Sequence, residues 1–434
     1  MTGNPSRRKF LKRLAAGVGA AAVAPYVVPD TVTGAAPDVA SPSERVTMSI
    51  IGCGNRGPSV MGHFLRQHDV QWIACCDCQQ DRLDRAKKQA DQHYGNTDCA
   101  TYADFRELLA RPDLDGVLIA TGNRWHALGA IYAARAGKDV YSEKPISLTL
   151  AEGRALVETC NRLGTIYQAG YQRHSVDSCR FAVECAHEKR IGDLKEVICH
   201  SWTNPVVKPS PAIPVPDGFW YDMWLGSTPW HPFSWARING WRAVWDTGAG
   251  ILADMGCHWT DLAQWANQAE ETGPTTIEVE HVEWAPRDSL TEVPIAARAV
   301  TTYANGVRVV HDATGTFNGR YIRFVGTDGW VQVHDATNNV TAEPASLLRL
   351  RAISAKGWGD PGDHIRNFLH GIKTRQRTVC YPESAHRAMS LCQLANIAIR
   401  LGRTLHWDPV KEEFTGDPEA NTMRSRAMRP PWHL

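Results

Sequence analysis

The sequence predicts an α/β protein in two parts: a doubly wound parallel sheet, then an α+β part on an open, mainly antiparallel sheet. Three observations carry this reading. A glycine-rich turn, Gly52-Cys53-Gly54-Asn55-Arg56-Gly57, follows a short apolar, β-prone run and opens a helical pattern. Strand and helix patterns then alternate as far as Ala169. From Thr276 to His334 the pattern changes to successive strands, with Asn305-Gly306 and Asp328-Gly329 as hairpin turns.

The elements follow in order. Met48 to Ile51 is a strand, and Val60, Met61 and Phe64 recur at helical spacing after Pro58. Val70 to Cys76 is a second strand ending at Asp77. Helices are expected over Asp81 to His93, from Phe105 to Leu109, and over Trp125 to Ala136 with Gly137 as C-cap. Strands fall at Asp115 to Thr121, Asp139 to Ser142 and Thr165 to Ala169. Thr149 and Glu152 have capping-box spacing at the head of a helix that Gly164 closes. A helix from Asp177 to Arg190 and a strand from Leu194 to Ser201 precede an irregular, Pro- and Trp-rich stretch over 203–247. Gly250 to Asn267 reads as one helix, and two late helices are expected over Asp363 to His370 and Glu383 to Arg400. The divisions are therefore signal and linker (1–45), nucleotide-binding part (46–170), α+β part (171–405) and an irregular tail (406–434).

Net charge is +1 over 434 residues, which argues against a general affinity for nucleic acid. Arg7-Arg8-Lys9-Phe10-Leu11-Lys12 followed by an Ala/Gly-rich apolar run resembles a twin-arginine (Tat) export signal, so a periplasmic or otherwise exported location is expected. That route carries folded proteins, so a cofactor would be loaded before export and held tightly. The membrane enters only through an uncleaved signal. The twelve cysteines lack zinc-type spacing and are expected as buried small side chains, with room for one disulfide.

The glycine loop lies in the context that binds dinucleotides. Gly52 permits a tight turn, Gly54 lets backbone approach a pyrophosphate, and Gly57 packs helix on strand. Asn55 and Arg56 lie at the helix N-terminus, which favours anions. Asp77 stands at the distance expected of a ribose ligand. A carboxylate there repels a 2′-phosphate by about 4 kcal/mol at ~4 Å and an effective dielectric of ~20, which favours NAD, with NADP as the alternative. Thr121-Gly122-Asn123-Arg124-Trp125-His126 and Glu143-Lys144-Pro145 end two further strands of the same sheet. In Gly248-Ala249-Gly250-Ile251-Leu252-Ala253-Asp254-Met255-Gly256-Cys257-His258, and on to Asp261, the polar residues recur at i, i+4, i+7 and would share one helical face.

The glycine loop, Glu143-Lys144-Pro145 and the segment from Gly248 to Asp261 together resemble the glucose–fructose oxidoreductase / inositol dehydrogenase / rhizopine-catabolism (Gfo/Idh/MocA) family, over Thr47 to at least Leu405. The resemblance implies an NAD(P)-dependent oxidoreductase of a sugar or cyclitol, with Lys144, Asp254 and His258 as the catalytic set. The family's T-P-N-x-x-H loop matches Thr121, Asn123 and His126, with Gly122 in place of proline, and joins Glu143 and Lys144 as cofactor-binding residues. By residue type His258 is the proton acceptor, Asp254 its orienter or the holder of a neighbouring hydroxyl, and Lys144 the stabiliser of alkoxide charge. Nine of the sixteen tryptophans lie between Trp202 and Trp265. From that region Arg242 and Trp245, with Tyr171, Gln172 and Asp261, are the substrate-site candidates, Tyr171 also as a second proton donor. No metal is expected. The alternatives are glycoside cleavage by transient sugar oxidation, a divalent-metal enzyme using Asp254, His258 and His174, and a binding protein with a vestigial nucleotide site. An exposed antiparallel sheet face favours a homo-oligomer.

Overall fold

Strand β1 (Val46–Ile51) is buried almost throughout because it lies at the centre of a six-stranded sheet. The computed structural model describes residues 41, 43–350 and 361–434, so the twin-arginine expectation falls outside the described residues. β2 (Val70–Cys76), β3 (Ala100–Tyr102), β4 (Gly116–Ile119), β5 (Asp139–Ser142) and β6 (Tyr167–Ala169) complete the sheet in the order β3-β2-β1-β4-β5-β6. All five pairings are parallel. The order reverses between β1 and β4, which opens a ligand crevice at the carboxyl ends of those strands.

The connecting helices are α1 (Arg56–Leu65), α2 (Gln80–Tyr94), α3 (Phe105–Leu109), α4 (His126–Arg135) and α5 (Leu150–Leu163). Thr149 caps α5, its Oγ1 accepting from Glu152 N at 3.2 Å. The Glu152 carboxylate reaches back to Leu148 N at 2.8 Å, one residue earlier than a capping box places it.

A second, nine-stranded sheet follows. Its strands are β7 (Leu194–Trp202), β8 (Thr276–Glu283), β9 (Ala296–Thr302), β10 (Arg308–Gly315), β11 (Tyr321–Gly326), β12 (Trp330–His334), β13 (Val340–Glu343), β14 (Leu405–Asp408) and β15 (Glu413–Phe414). The order is β13-β12-β11-β7-β10-β9-β8-β14-β15, and only β7 and β10 run parallel. Asn305-Gly306 turns β9 into β10, with Gly306 at φ +83°. Helix α6 (Asp177–His187) precedes this sheet in the chain, and the Trp-rich stretch carries α7 (Tyr221–Leu225) and α8 (Trp235–Asn239).

The expected single helix after Gly250 is two, α9 (Gly250–Asp254) and α10 (Gly256–Ala266). The cause is a side chain entering the hydrogen-bond ladder. Lys144 Nζ donates to the Asp254 carbonyl at 2.6 Å, and His258 N, which would take that carbonyl in an unbroken helix, donates to Met255 O at 3.1 Å. Asp254, His258 and Asp261 therefore do not share one continuous face.

Helices α11 (Pro361–Thr374) and α12 (Pro382–Leu401) return to the body of the protein. α12 is buried nearly all round and packs on α5, α10, β8 and β9. The tail after residue 405 is irregular only toward its end, from Met423 on. β14 pairs with β8, α13 (Pro418–Thr422) follows, and Leu405, Trp407 and Phe414 are buried. Arg426 binds Glu152 at 2.7 Å and Asp246 O at 2.9 Å, and Trp432 packs edge-on against Trp125. All twelve cysteines are free and all but Cys78 are buried; the Cys75 and Cys99 thiols share a hydrogen bond at 3.7 Å without forming a disulfide. No helix among the described residues is long and apolar enough to cross a membrane.

α11 is anchored to the first sheet by Asp69, which is buried and takes Arg366 at 2.5 Å and Lys373 besides. Burial opposes this charge, but the two cations outweigh it and hold the carboxyl far below its usual range. Asp69→Asn is expected to cost about 1–3 kcal/mol at neutral pH, by leaving two cations short of their acceptor. Because the native pKa is depressed, the contribution is complete above pH ~4 and declines as pH falls below it. Urea unfolding of both proteins across pH 3–7, with a gap that narrows toward acid, checks this.

Candidate functional site

Gly52 and Gly57 are required by packing. A Cβ on Gly52, at φ +97°, would lie 2.6 Å from the Ala120 carbonyl carbon, and one on Gly57 would lie 2.2 Å from Gly52 O. Gly54 is different: its added Cβ meets only Arg82 Nη1, at 3.5 Å. Nothing in the protein forbids a side chain in the open space beside it. That space is a cavity of about 260 Å³. Gly52, Gly54, Asn55, Arg56, Asp77, Arg82, Thr121, Gly122 and Arg124 line one side, and Met223, Trp224, Ile238, Trp241 and Arg242 of the Trp-rich stretch line the other.

Asp77 holds the loop as well as facing the cavity. Its Oδ2 accepts from Cys53 N at 2.6 Å and its Oδ1 from Gln79 N at 2.8 Å. Burial raises its pKa, against the pull of those two amides and Arg82. Each oxygen keeps a second lone pair for a ribose hydroxyl. Arg56, at the head of α1, binds Glu143 at 3.0 Å. Gln172 Nε2 donates to the same carboxylate at 2.8 Å and to Tyr141 Oη at 2.9 Å. Glu143 is thus a buried link between the glycine loop and Lys144.

Asp254 gathers the next group. Lys144 Nζ lies 3.7 Å from its Oδ2, Arg242 Nε donates to Oδ2 at 3.3 Å, and Asn123 Nδ2 donates to Oδ1 at 3.4 Å and to Gly248 O at 3.0 Å. Burial disfavours the Asp254 charge, but Lys144 and Arg242 overcome it and lower the pKa. His258 is buried, and its Nδ1 has no hydrogen-bond partner. Burial, then the charges of Arg173, Lys144 and Arg56, push its pKa well below the usual imidazole value. The ring is neutral at physiological pH and can accept a proton. Arg242 joins the cavity to the Lys144–Asp254 pair, while Lys144, Asp254 and His258 do not themselves line it.

Several expectations are corrected. Asn123 and His126 do not face the cavity. Asn123 ties Gly248 to Asp254, and the buried His126 ring lies 2.7 Å from Pro145 O and 3.2 Å from Thr121 O, so both position loops. Tyr171 is fully buried and donates to Ala385 O at 3.4 Å, so it is no proton donor to a substrate. Trp245 lines a different cavity beside Asp246, Asn396 and Arg400, whose guanidinium covers its ring. Asp261 is buried against His174 Nδ1 at 3.0 Å, with the Cys380 thiol near both. The metal set of Asp254, His258 and His174 is therefore not the grouping that forms: Asp254 is engaged by Lys144 and Arg242. Sequence reasoning missed Arg124, Trp224 and Trp241 in the cavity wall. The available signal was Gly122, whose added Cβ would lie 2.6 Å from Arg124 Nη1.

A family model described as "Oxidoreductase family, NAD-binding Rossmann fold" matches residues 46–171, and one described as "Oxidoreductase family, C-terminal alpha/beta domain" matches residues 201–434. Similar curated proteins include a "Glycosyl hydrolase family 109 protein 1" of Shewanella sp. (strain MR-4), 33% identical over 172 residues, 37% of this chain and 38% of that protein. The "Alpha-N-acetylgalactosaminidase" of Shewanella oneidensis is 31% identical over 176 residues, with the same coverage. The alignments thus span little more than a third of the length of these relatives. Similar solved structures include an aldose-aldose oxidoreductase from Caulobacter crescentus complexed with glycerol (TM-score 0.63, 19% identity, 83% of this chain and 99% of that one). Another is the WlbA dehydrogenase from Chromobacterium violaceum in complex with NADH and UDP-GlcNAcA (TM-score 0.65, 19% identity, 84% and 96%). At such identity these two speak to the fold.

The contrast among the glycines is testable. Gly54→Ala is expected to leave nucleotide-free stability within about 0.5 kcal/mol and to weaken NAD binding by about tenfold or more, a cost of ~1.4 kcal/mol or more. Gly57→Ala is expected to lose about 1–3 kcal/mol through overpacking. Thermal unfolding with calorimetric NAD titration reads both; equal destabilisation by the two changes would contradict the ligand reading of Gly54.

Proposed function

Because this chain belongs to the Gfo/Idh/MocA oxidoreductase family, we propose that it keeps a nicotinamide dinucleotide tightly bound and oxidises a carbinol carbon of a sugar or cyclitol. One observation carries the reading. The open cradle at Gly54 is linked to the Lys144–Asp254 pair by two ion pairs, Arg56–Glu143 and Arg242–Asp254. The residues present fit the cofactor: backbone amides at the head of α1 for its phosphates, Asp77 for a ribose, and Thr121 and Gly122 in the cavity wall. NAD is the preferred form on the strength of Asp77. When bound, the nicotinamide supplies a two-electron hydride acceptor.

The protein's own groups do the rest. Lys144, fixed by the Asp254 carbonyl and carboxylate, presents positive charge where a carbinol oxygen becomes anionic. His258, its ring neutral, takes the hydroxyl proton. Asp254 keeps Lys144 and Arg242 in register. We place this work outside the cytoplasm, on the twin-arginine motif at Arg7-Arg8.

A second reading rests on the curated relatives named glycosyl hydrolases and an α-N-acetylgalactosaminidase. There the sugar is oxidised transiently, its glycosidic group leaves, and the ring is reduced again, so no reduced cofactor accumulates.

A panel of free sugars, cyclitols and aryl glycosides, followed for nicotinamide absorbance and aglycone release, separates the two readings. His258→Ala is expected to lower turnover about 10²–10⁴-fold in either case; unchanged turnover removes His258 from the mechanism. Because its native pKa lies well below 6.5, kcat/KM is expected to be flat between pH 6.5 and 8 and to fall only at more acid pH, as His258 gains its proton. A half-point at pH 6.5 would contradict this environment.

A further inference from the structure

Four arginines line the glycine-loop cavity: Arg56, Arg82, Arg124 and Arg242. Arg56 is answered by Glu143 and Arg242 by Asp254. Arg82 acts on Asp77, whose charge it favours. Arg124 has no carboxylate at ion-pair distance among the described residues, yet it is 3% exposed. Its Nε donates to Trp224 O at 2.6 Å and its guanidinium stacks on the Trp224 ring at 3.9 Å. Its Nη1 is buried without any hydrogen-bond partner.

A buried guanidinium with an orphan N–H is expensive unless something outside the protein completes it. The fold nonetheless holds it there deliberately. Gly122 lacks the Cβ that would lie 2.6 Å from Nη1. Trp125, next in sequence, is fixed by Met223 O at 2.9 Å, and Gly226 is bare where a Cβ would strike its indole. Burial lowers the Arg124 pKa to about 9, which still leaves a cation at neutral pH. Asp77 and Cys78 line the same cavity as Arg82 and Arg124.

We propose that Arg124, seated by Gly122 and Trp224, is a nucleotide-binding residue whose free Nη1–H groups take a phosphate oxygen of the bound dinucleotide. The inference rests on the cofactor reading above. A phosphate oxygen has two sources, the bridging pyrophosphate and a ribose 2′-phosphate, and comparing NAD with NADP tells them apart. An unpaired buried charge also has a distinctive signature. Its removal relieves the nucleotide-free protein while weakening the loaded one, whereas a structural arginine would destabilise both.

The test is Arg124→Met in the full chain, stripped of nucleotide and titrated separately with NAD and NADP while thermal unfolding is followed. The expected result is an unfolding temperature without nucleotide equal to or above that of wild type, with affinity reduced tenfold or more. Loss for both nucleotides assigns the pyrophosphate; loss for NADP alone assigns the 2′-phosphate. Gly122→Ala, which displaces the guanidinium without deleting it, is the second variant and is expected to weaken the same nucleotide. Wild-type affinity in Arg124→Met for both nucleotides overturns the inference, whatever its stability. A wild-type protein that binds neither nucleotide overturns instead the cofactor reading beneath it.

Discussion

The insertion of the Lys144 ammonium into the break between α9 and α10 organises this molecule. By taking the Asp254 carbonyl, Lys144 diverts the His258 amide to Met255 and separates one predicted helix into two. The same contact brings the Lys144 charge to the Asp254 carboxylate, which Arg242 and Asn123 also reach. Three segments distant in sequence, ending β4, ending β5 and entering α9, thus meet at one aspartate. A carboxylate so buried keeps its charge only because cations surround it, so the geometry of this cluster and the packing around it are one constraint.

The Trp-rich stretch adds a wall to this arrangement. It is stitched to the loop after β2 by Trp220 N to Cys78 O at 2.8 Å and Gln80 N to Gly218 O at 2.9 Å, directly beside Asp77. Trp224 and Trp241 then face the glycine loop across the cavity. The tail reinforces that wall from behind, with Arg429 binding Gly226 O at 2.8 Å and Trp432 packed on Trp125. A ligand in the cavity is therefore walled by two separate parts of the chain, which suits a cofactor retained through many turnovers.

Much of this was legible in the residue order, because the relevant forces are local. Glycines that turn strand into helix, Thr149 as a cap and Asn305-Gly306 as a hairpin turn act over a few residues, and each stands where its chemistry requires. What stayed hidden depends on long-range meetings. Helical spacing through Asp254, His258 and Asp261 could not reveal that Lys144 would claim a carbonyl in the middle. Tyr171 looked available from its place after β6, but its hydroxyl turns toward Ala385. Arg124 drew no expectation of its own, because Gly122 and Trp224 enclose it only in the fold. The tail looked irregular because its order comes from pairing with β8 and from arginines binding carbonyls, neither of which leaves a periodic trace.

The proposed function requires a dinucleotide lying in the Gly54 cradle and staying there. The direct measurement is mass spectrometry of small molecules released by denaturing the purified, extensively dialysed full chain. The result expected is close to one nicotinamide dinucleotide per chain, its mass reporting whether a 2′-phosphate is present. Protein that releases no nucleotide, and binds neither NAD nor NADP when they are added back, would contradict the account.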